Sequence, residues 1–435
     1  MKLAKPLALA LAVGLVWGLF PVHAAADENG EIVSIDKKEF LARRLEGKGL
    51  DLLMEKGGRV YAVVSPGELA SLFAARVRFT RETGRFFPYD QTGISADGGL
   101  NGAYHSSLEL ETDFRLLARD YPQLAKVVEL GTSLEQRKIY ALKISDNVSQ
   151  DESEPAVLFL GCHHAREWIS VEVPFLFGKY LLENYDTDAA VRDLVDRSEV
   201  WIVPIVNTDG LEYTIHVYRY WRKNRRANAD GSYGVDINRN YACEWGYDNI
   251  GSSPDPASDV FRGTAPFSEP ETEAVRRLFL SRDFRAVVSY HSFSQVILYP
   301  WGYVDAPAPA DAELHTIAGT MAGLIAGVRG TVYGYGRAAD ALYTTNGDTV
   351  DWAYAVSGIP AFTVELPPVD VDHGGFFNDE AAIDGIFREN LPAMLYLAGY
   401  AASAPAPPRV RSRDRAPRLR FPFRLLPGGR IDNIR

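Results

Sequence analysis

Five short apolar runs, AVLFLG, EVWIVPIVN, RAVVSYH, QVILYP and PAFTVEL, recur along the second half of the chain. They carry almost no polar residue at alternate positions. A strand with one solvated face alternates, so runs like these belong in a sheet covered on both sides. Helical sequence separates them: Trp168 to Tyr185, Ala310 to Gly327 and Ala381 to Ala401. Upstream, SLELETDFRLLARDY predicts a helix, and KVVELG and KIYALKIS predict strands. Strands alternating with helices in this way predict an α/β domain with a mixed central β-sheet flanked by helices.

The remainder of the 435 residues divides into segments. Residues 1–25 have a basic start, an apolar run from Leu7 to Phe20 and small residues near Ala24. That order is the pattern of a signal peptide, too short to span a bilayer, and implies a secreted or periplasmic protein. Residues 26–85 form a small α+β segment: KKEFLARRL reads as helix, RVYAVV as strand, and SPGELASLFAARV as a helix capped by Ser65 with Pro66 at its first position. A glycine-rich polar joint follows, with Arg85 as a proteolysis site. The main domain is expected over residues 86–402. Residues 403–435 are rich in Pro and Arg and read as a disordered tail.

Net charge is −11, and the tail alone carries nine arginines and two aspartates. The body is therefore about −18, which excludes a general nucleic-acid binder. No transmembrane segment is predicted, and a monomer is the default. The basic tail raises an anionic cell surface as a contact. Two cysteines, Cys162 and Cys243, are too few for a disulfide framework, and their pairing is left open.

GCHHAREWIS, directly after AVLFL, places two histidines, an arginine and a glutamate within five positions. Strand ends are where α/β sheets put ligands. His164 and Glu167, three apart, face the same way on a helical turn, and one imidazole with one carboxylate suits zinc. The pairing of His163 with Glu167 is equally good by spacing. Chance alone supplies about half an HxxE in a chain of this composition. His291, after another apolar run, is a candidate third ligand. Arg222 in YWRKNRR, Asp236, Asn238 and Arg239 in GVDINRN, and Glu365 inside an apolar strand complete the cluster. A buried acid is costly unless it has a partner or a task. A metal, a general base and several cations together point to metal-assisted hydrolysis of a substrate bearing a carboxylate.

HHAREW, WRKNR, DINRN, YHSFSQVILYPWGY, LYTTNGDTVDWAY and FTVEL occur in an order and spacing that resembles the zinc metallocarboxypeptidases, specifically the carboxypeptidase A/B subfamily and most closely secreted bacterial enzymes of the carboxypeptidase T type. The resemblance spans roughly Phe86 to Ala402. It implies one Zn²⁺ per chain held by His164, Glu167 and His291, with Asp236 orienting the first histidine. It implies Glu365 as general base and Arg222 as the cation that polarises the scissile carbonyl. Asn238, Arg239 and Tyr343 would grip the terminal carboxylate of a peptide or protein substrate, and Arg166 would serve the next subsite.

Val350 falls at the base of the side-chain pocket and implies hydrophobic or aromatic C-terminal residues. Asp348 leaves room for basic ones. Phe293 stands where relatives often have tyrosine, and Leu134 to Arg137 lacks a usual glycine. The small N-terminal segment is expected to be an inhibitory propeptide. A zinc amidohydrolase or cell-wall peptidase is the alternative enzyme. A non-catalytic binding module would normally have lost a ligand or the base.

Overall fold

The computed structural model describes residues 31–45, 50–82, 101–150 and 152–405. The expected signal peptide, the joint with Arg85 and nearly all of the Arg-rich tail lie outside the described residues.

The N-terminal unit is a four-stranded antiparallel sheet with two short helices. Its elements are β1 (Glu31–Asp36), α1 (Lys37–Ala42), β2 (Asp51–Lys56), β3 (Arg59–Val64), α2 (Pro66–Ala74) and β4 (Phe79–Arg81), with strand order β2-β3-β1-β4. Ser65 caps α2 in a capping box with Glu68, and Pro66 opens the helix, as its sequence predicts. KKEFLARRL forms only six helical residues, ending before a left-handed Arg44. RVYAVV lacks alternation because both faces of β3 are covered. Val60, Ala62 and Val64 pack with Val33, Phe40, Leu69 and Leu72. Tyr61 and Val63, on the other face, join Ile32 against Tyr220, Trp221, Phe293 and Phe376 of the main domain.

The main domain runs α3 (Ser107–Asp120), β5 (Ala125–Thr132), β6 (Lys138–Ile144), β7 (Ala156–Leu160), α4 (Ile169–Asn184), α5 (Ala189–Val195), β8 (Glu199–Val203), α6 (Thr208–His216), α7 (Pro270–Ser281), β9 (Phe284–Ser292), β10 (Val296–Tyr299), α8 (Asp311–Arg329), β11 (Gly334–Arg337), α9 (Ala338–Ala341), α10 (Thr349–Ser357), β12 (Ala361–Leu366) and α11 (Ile383–Ser403). Eight strands form one mixed sheet, ordered β11-β10-β12-β9-β7-β8-β6-β5. Its centre, β12-β9-β7-β8, is parallel. Every residue of those four strands is buried, which is why their sequences carry no alternation. α11 packs against α4 and α8, and all three lie on the sheet, while α10 lies against β9 and β12. The expected mixed α/β architecture is the one observed. Among the described residues no helix is long and apolar enough to cross a membrane.

Candidate active site

The site forms where the parallel strands run out. After β7 the chain passes Gly161, where a Cβ would sit 2.1 Å from the Ser170 carbonyl oxygen and 2.7 Å from that of Pro204. Only glycine allows that approach. The HxxE stretch is not on a regular helix as its spacing predicts. It is an irregular turn, and α4 starts at Ile169. A backbone bond from Glu167 N to His164 O, 3.2 Å, closes the turn and still brings the two side chains together.

His164 Nδ1 lies 2.8 Å from Glu167 Oε1, and His291 Nδ1 lies 3.0 Å from Glu167 Oε2. The two Nδ1 atoms are 3.1 Å apart. All three side chains are buried, and one ligand atom from each falls within 4.8 Å of the others. Facing ring nitrogens need a shared proton or a cation between them, and a carboxylate beside two imidazoles is a zinc-type donor set. Burial would raise the Glu167 carboxyl, but His164 and His291 outweigh it and hold it below the usual carboxylate range. Burial keeps His291 below the usual imidazole range against the pull of Glu167, favouring the neutral form that a metal needs. The residues present fit the ion.

The outer ring nitrogens face polar side chains. His164 Nε2 is 3.4 Å from Asp236 Oδ1, and His291 Nε2 is 3.0 Å from Ser289 Oγ. His163 faces elsewhere. Its Nε2 meets Tyr241 Oη at 2.9 Å and Thr349 Oγ1 at 3.1 Å, so the rival pairing with Glu167 does not form. Cys162 and Cys243 are both buried free thiols.

Asp236 caps the turn Ile237–Arg239 by accepting Asn238 N at 2.9 Å. Its Oδ2 accepts Arg222 Nε at 3.0 Å and is 2.9 Å from Arg222 Nη2. Burial would lower the Arg222 guanidinium, but Asp236 and Asp51 outweigh it and keep it charged. Glu365 on β12 is level with His291 on β9 in parallel register. Burial, then the Glu167 charge, lifts its carboxyl well above the usual range.

His164, Glu167, Arg166, Arg222, Tyr343 and Glu365 line one cleft. Asn238, Arg239, Val350 and Asp348 are buried but do not line it. Asn238 Oδ1 accepts Thr349 N and Oγ1 at 3.1 and 2.7 Å, and Arg239 Nε donates to Gly251 O at 2.8 Å. Asp348 caps α10, accepting Asp351 N at 2.8 Å and the Thr345 hydroxyl.

Two residues that sequence reasoning did not single out enter the cleft from the N-terminal unit. Asp51 of β2 is 2.5 Å from Arg166 Nη2 and 3.5 Å from Arg222 Nη1, and Leu52 joins the cleft wall. The cavity left is about 20 Å³, room for about one water. The acid opening the short DLL run is the only signal the sequence carries for this contact.

A family model described as zinc carboxypeptidase matches residues 110–393. Carboxypeptidase A1 of Rattus norvegicus is 31% identical over 320 residues, covering 73% of this chain and 74% of that protein. Carboxypeptidase B of Homo sapiens is 32% identical over 311 residues, covering 71% and 73%. Among solved structures, the carboxypeptidase A of Helicoverpa armigera superposes with a TM-score of 0.71 at 26% identity, over 86% of this chain and 98% of that one. The motifs, the parallel-strand site and these likenesses agree, and the chain belongs to the zinc carboxypeptidase family of metallopeptidases.

Proposed function

We propose that this protein removes single residues from the free C-terminus of peptides, favouring hydrophobic or aromatic residues. The observation that carries the reading is the His164, Glu167 and His291 ligand cluster, two of whose members, His164 and Glu167, line one cleft with Glu365 and Arg222. A zinc ion held by the first three would supply Lewis-acid polarisation and lower the pKa of a water.

Glu365 then serves as the base. It takes a proton from the attacking water and returns it to the leaving amine. Arg222, held by Asp236, supplies a fixed cation for the charge that develops on the scissile carbonyl oxygen. Asn238, Arg239 and Tyr343 are assigned to the terminal carboxylate, and a guanidinium there explains trimming from an end in place of internal cutting. Val350 supports an apolar specificity pocket. The two oxygens of Asp348 are engaged by Thr345 and the α10 cap, which favours hydrophobic over basic residues.

The N-terminal unit is assigned as an inhibitory segment, on the contact of Asp51 with Arg166 and Arg222. The signal pattern of residues 1–25 supports export.

The test is release of free amino acids from peptides ending in Phe, Leu, Arg or Glu, after limited proteolysis of the 83–100 joint. Release that stops with a chelator and returns with zinc is expected, with Phe and Leu fastest. Glu released as fast as Leu would overturn the pocket assignment. No release from any free C-terminus would overturn the activity.

A further inference from the structure

We propose that Asn224 is a positioning residue for Arg222, its buried amide, held by Glu269 and Glu271, setting where the guanidinium sits relative to Asp236. The inference rests on the role assigned to Arg222 above. Asn224 follows Arg222 by two residues, and Val235 directly precedes Asp236. Asn224 N donates to Val235 O at 3.0 Å, and Asn224 Oδ1 accepts Val235 N at 2.8 Å. One side chain thus ties the segment bearing Arg222 to the segment bearing Asp236. A second donor, Arg226 N, reaches the same Oδ1 at 3.3 Å.

The amide is locked from its other end. Asn224 Nδ2 donates to Glu269 Oε2 at 2.8 Å and to Glu271 Oε2 at 3.3 Å. Asn224, Glu269 and Glu271 are all 0% exposed. Arg226 Nε contacts both oxygens of Glu269, at 2.8 and 2.7 Å. The other oxygen of Glu271, Oε1, is buried and has no hydrogen-bond partner. Two adjacent buried carboxyls resist ionising together.

The charged groups facing Glu271 are Glu269 and, on α6, Asp209, which itself pairs with Arg137 at 2.8 Å. Burial first, then Glu269, lifts the Glu271 carboxyl to about 8. Below that pH Glu271 is neutral and the amide sits between one paired carboxylate and one uncharged acid. As pH rises through 8 a second charge appears, and repulsion between Glu269 and Glu271 strains the amide that bonds both. Arg222 then loses its fixed place.

The experiment takes full-length wild type, Asn224→Ala and Glu271→Gln through the same limited proteolysis. It measures kcat and KM on a blocked dipeptide from pH 6 to 10, with zinc content alongside. Asn224→Ala is expected to lose kcat by about 10- to 100-fold, less than removal of an oxyanion donor outright, with KM changed under about threefold and zinc retained. Wild type is expected to lose kcat through pH 8, and Glu271→Gln to lack that fall. An unchanged kcat in Asn224→Ala, or a loss that tracks zinc, overturns the proposal. So does a wild type with no fall near pH 8, or a Glu271→Gln profile that keeps it. If Asn224→Ala does not fold, Asn224→Ser takes its place in the same kcat, KM and zinc measurements. A wild type without chelator-sensitive release overturns the activity reading and this one with it.

Discussion

Glu365 and His291 stand level on neighbouring parallel strands, so the proposed base and one proposed metal ligand share a rigid frame. Glu365 is not one of the converging ligand atoms. Glu365→Gln is therefore expected to retain zinc while losing kcat by about 10²- to 10⁴-fold, the range for a general base. Metal analysis beside kinetics checks it, and retained turnover would remove Glu365 as base. His291→Ala should lose the metal and the activity together.

At this scale much was legible. An acid within AFTVEL and a histidine ending RAVVSYH are visible as anomalies, because buried polar groups need a reason. The register that pairs them is not, since packing between distant strands sets it. The same holds for Asn224, whose partners Glu269 and Glu271 lie 45 and 47 residues away. His163 was ambiguous for the opposite reason. Spacing offers both histidines equally, and only the backbone turn after Cys162 sends His163 toward Tyr241.

Among the elements, the start of α3 is bound to α4 through His105. Its Nδ1 is 2.7 Å from Glu172 and its Nε2 is 3.2 Å from Asp113, while its backbone N donates to Glu172 at 2.8 Å. Burial would lower the imidazole, but Glu172 and then Asp113 outweigh it and lift it to about 9. The folded value lies above the unfolded one. The stabilisation is therefore complete below about pH 6.5 and fades as pH rises toward 9. At pH 6 it is on the order of 3 kcal/mol. Replacing His105 with Gln should lower the unfolding midpoint clearly at pH 6 and far less at pH 9.5. A gap equal at both values would show that the imidazole charge contributes nothing. Helix α3 itself is legible from the run SLELETDFRLLARDY, whereas its anchor on Glu172, in an apolar stretch of α4, is not.

For the whole molecule, the main sheet could be read from its apolar runs, yet the docking of the N-terminal unit could not. Its strand β3 shows two apolar faces, which says that something covers each but not what. The covering surface is the rim of the cleft, with Tyr220, Trp221, Phe293 and Phe376 against Ile32, Tyr61 and Val63. Asp51 adds a buried charge across that surface, against two arginines. Removing one partner of a buried pair leaves the others uncompensated and costs about 3–5 kcal/mol. Arg222 keeps Asp236, so the cost here falls at the lower end. Asp51→Asn in the intact, uncleaved chain should therefore raise peptide hydrolysis at least tenfold, since each 1.4 kcal/mol is a factor of about ten. Wild type treated identically but uncleaved is the reference. If Asp51→Asn stays as inactive as wild type while Tyr61→Asp, which strikes the apolar face, becomes active, docking rests on the aromatic rim and the ion pair is incidental. If neither variant gains activity and the proteolysed wild type is no faster than the intact one, the N-terminal unit is a permanent part of the enzyme and not its inhibitor.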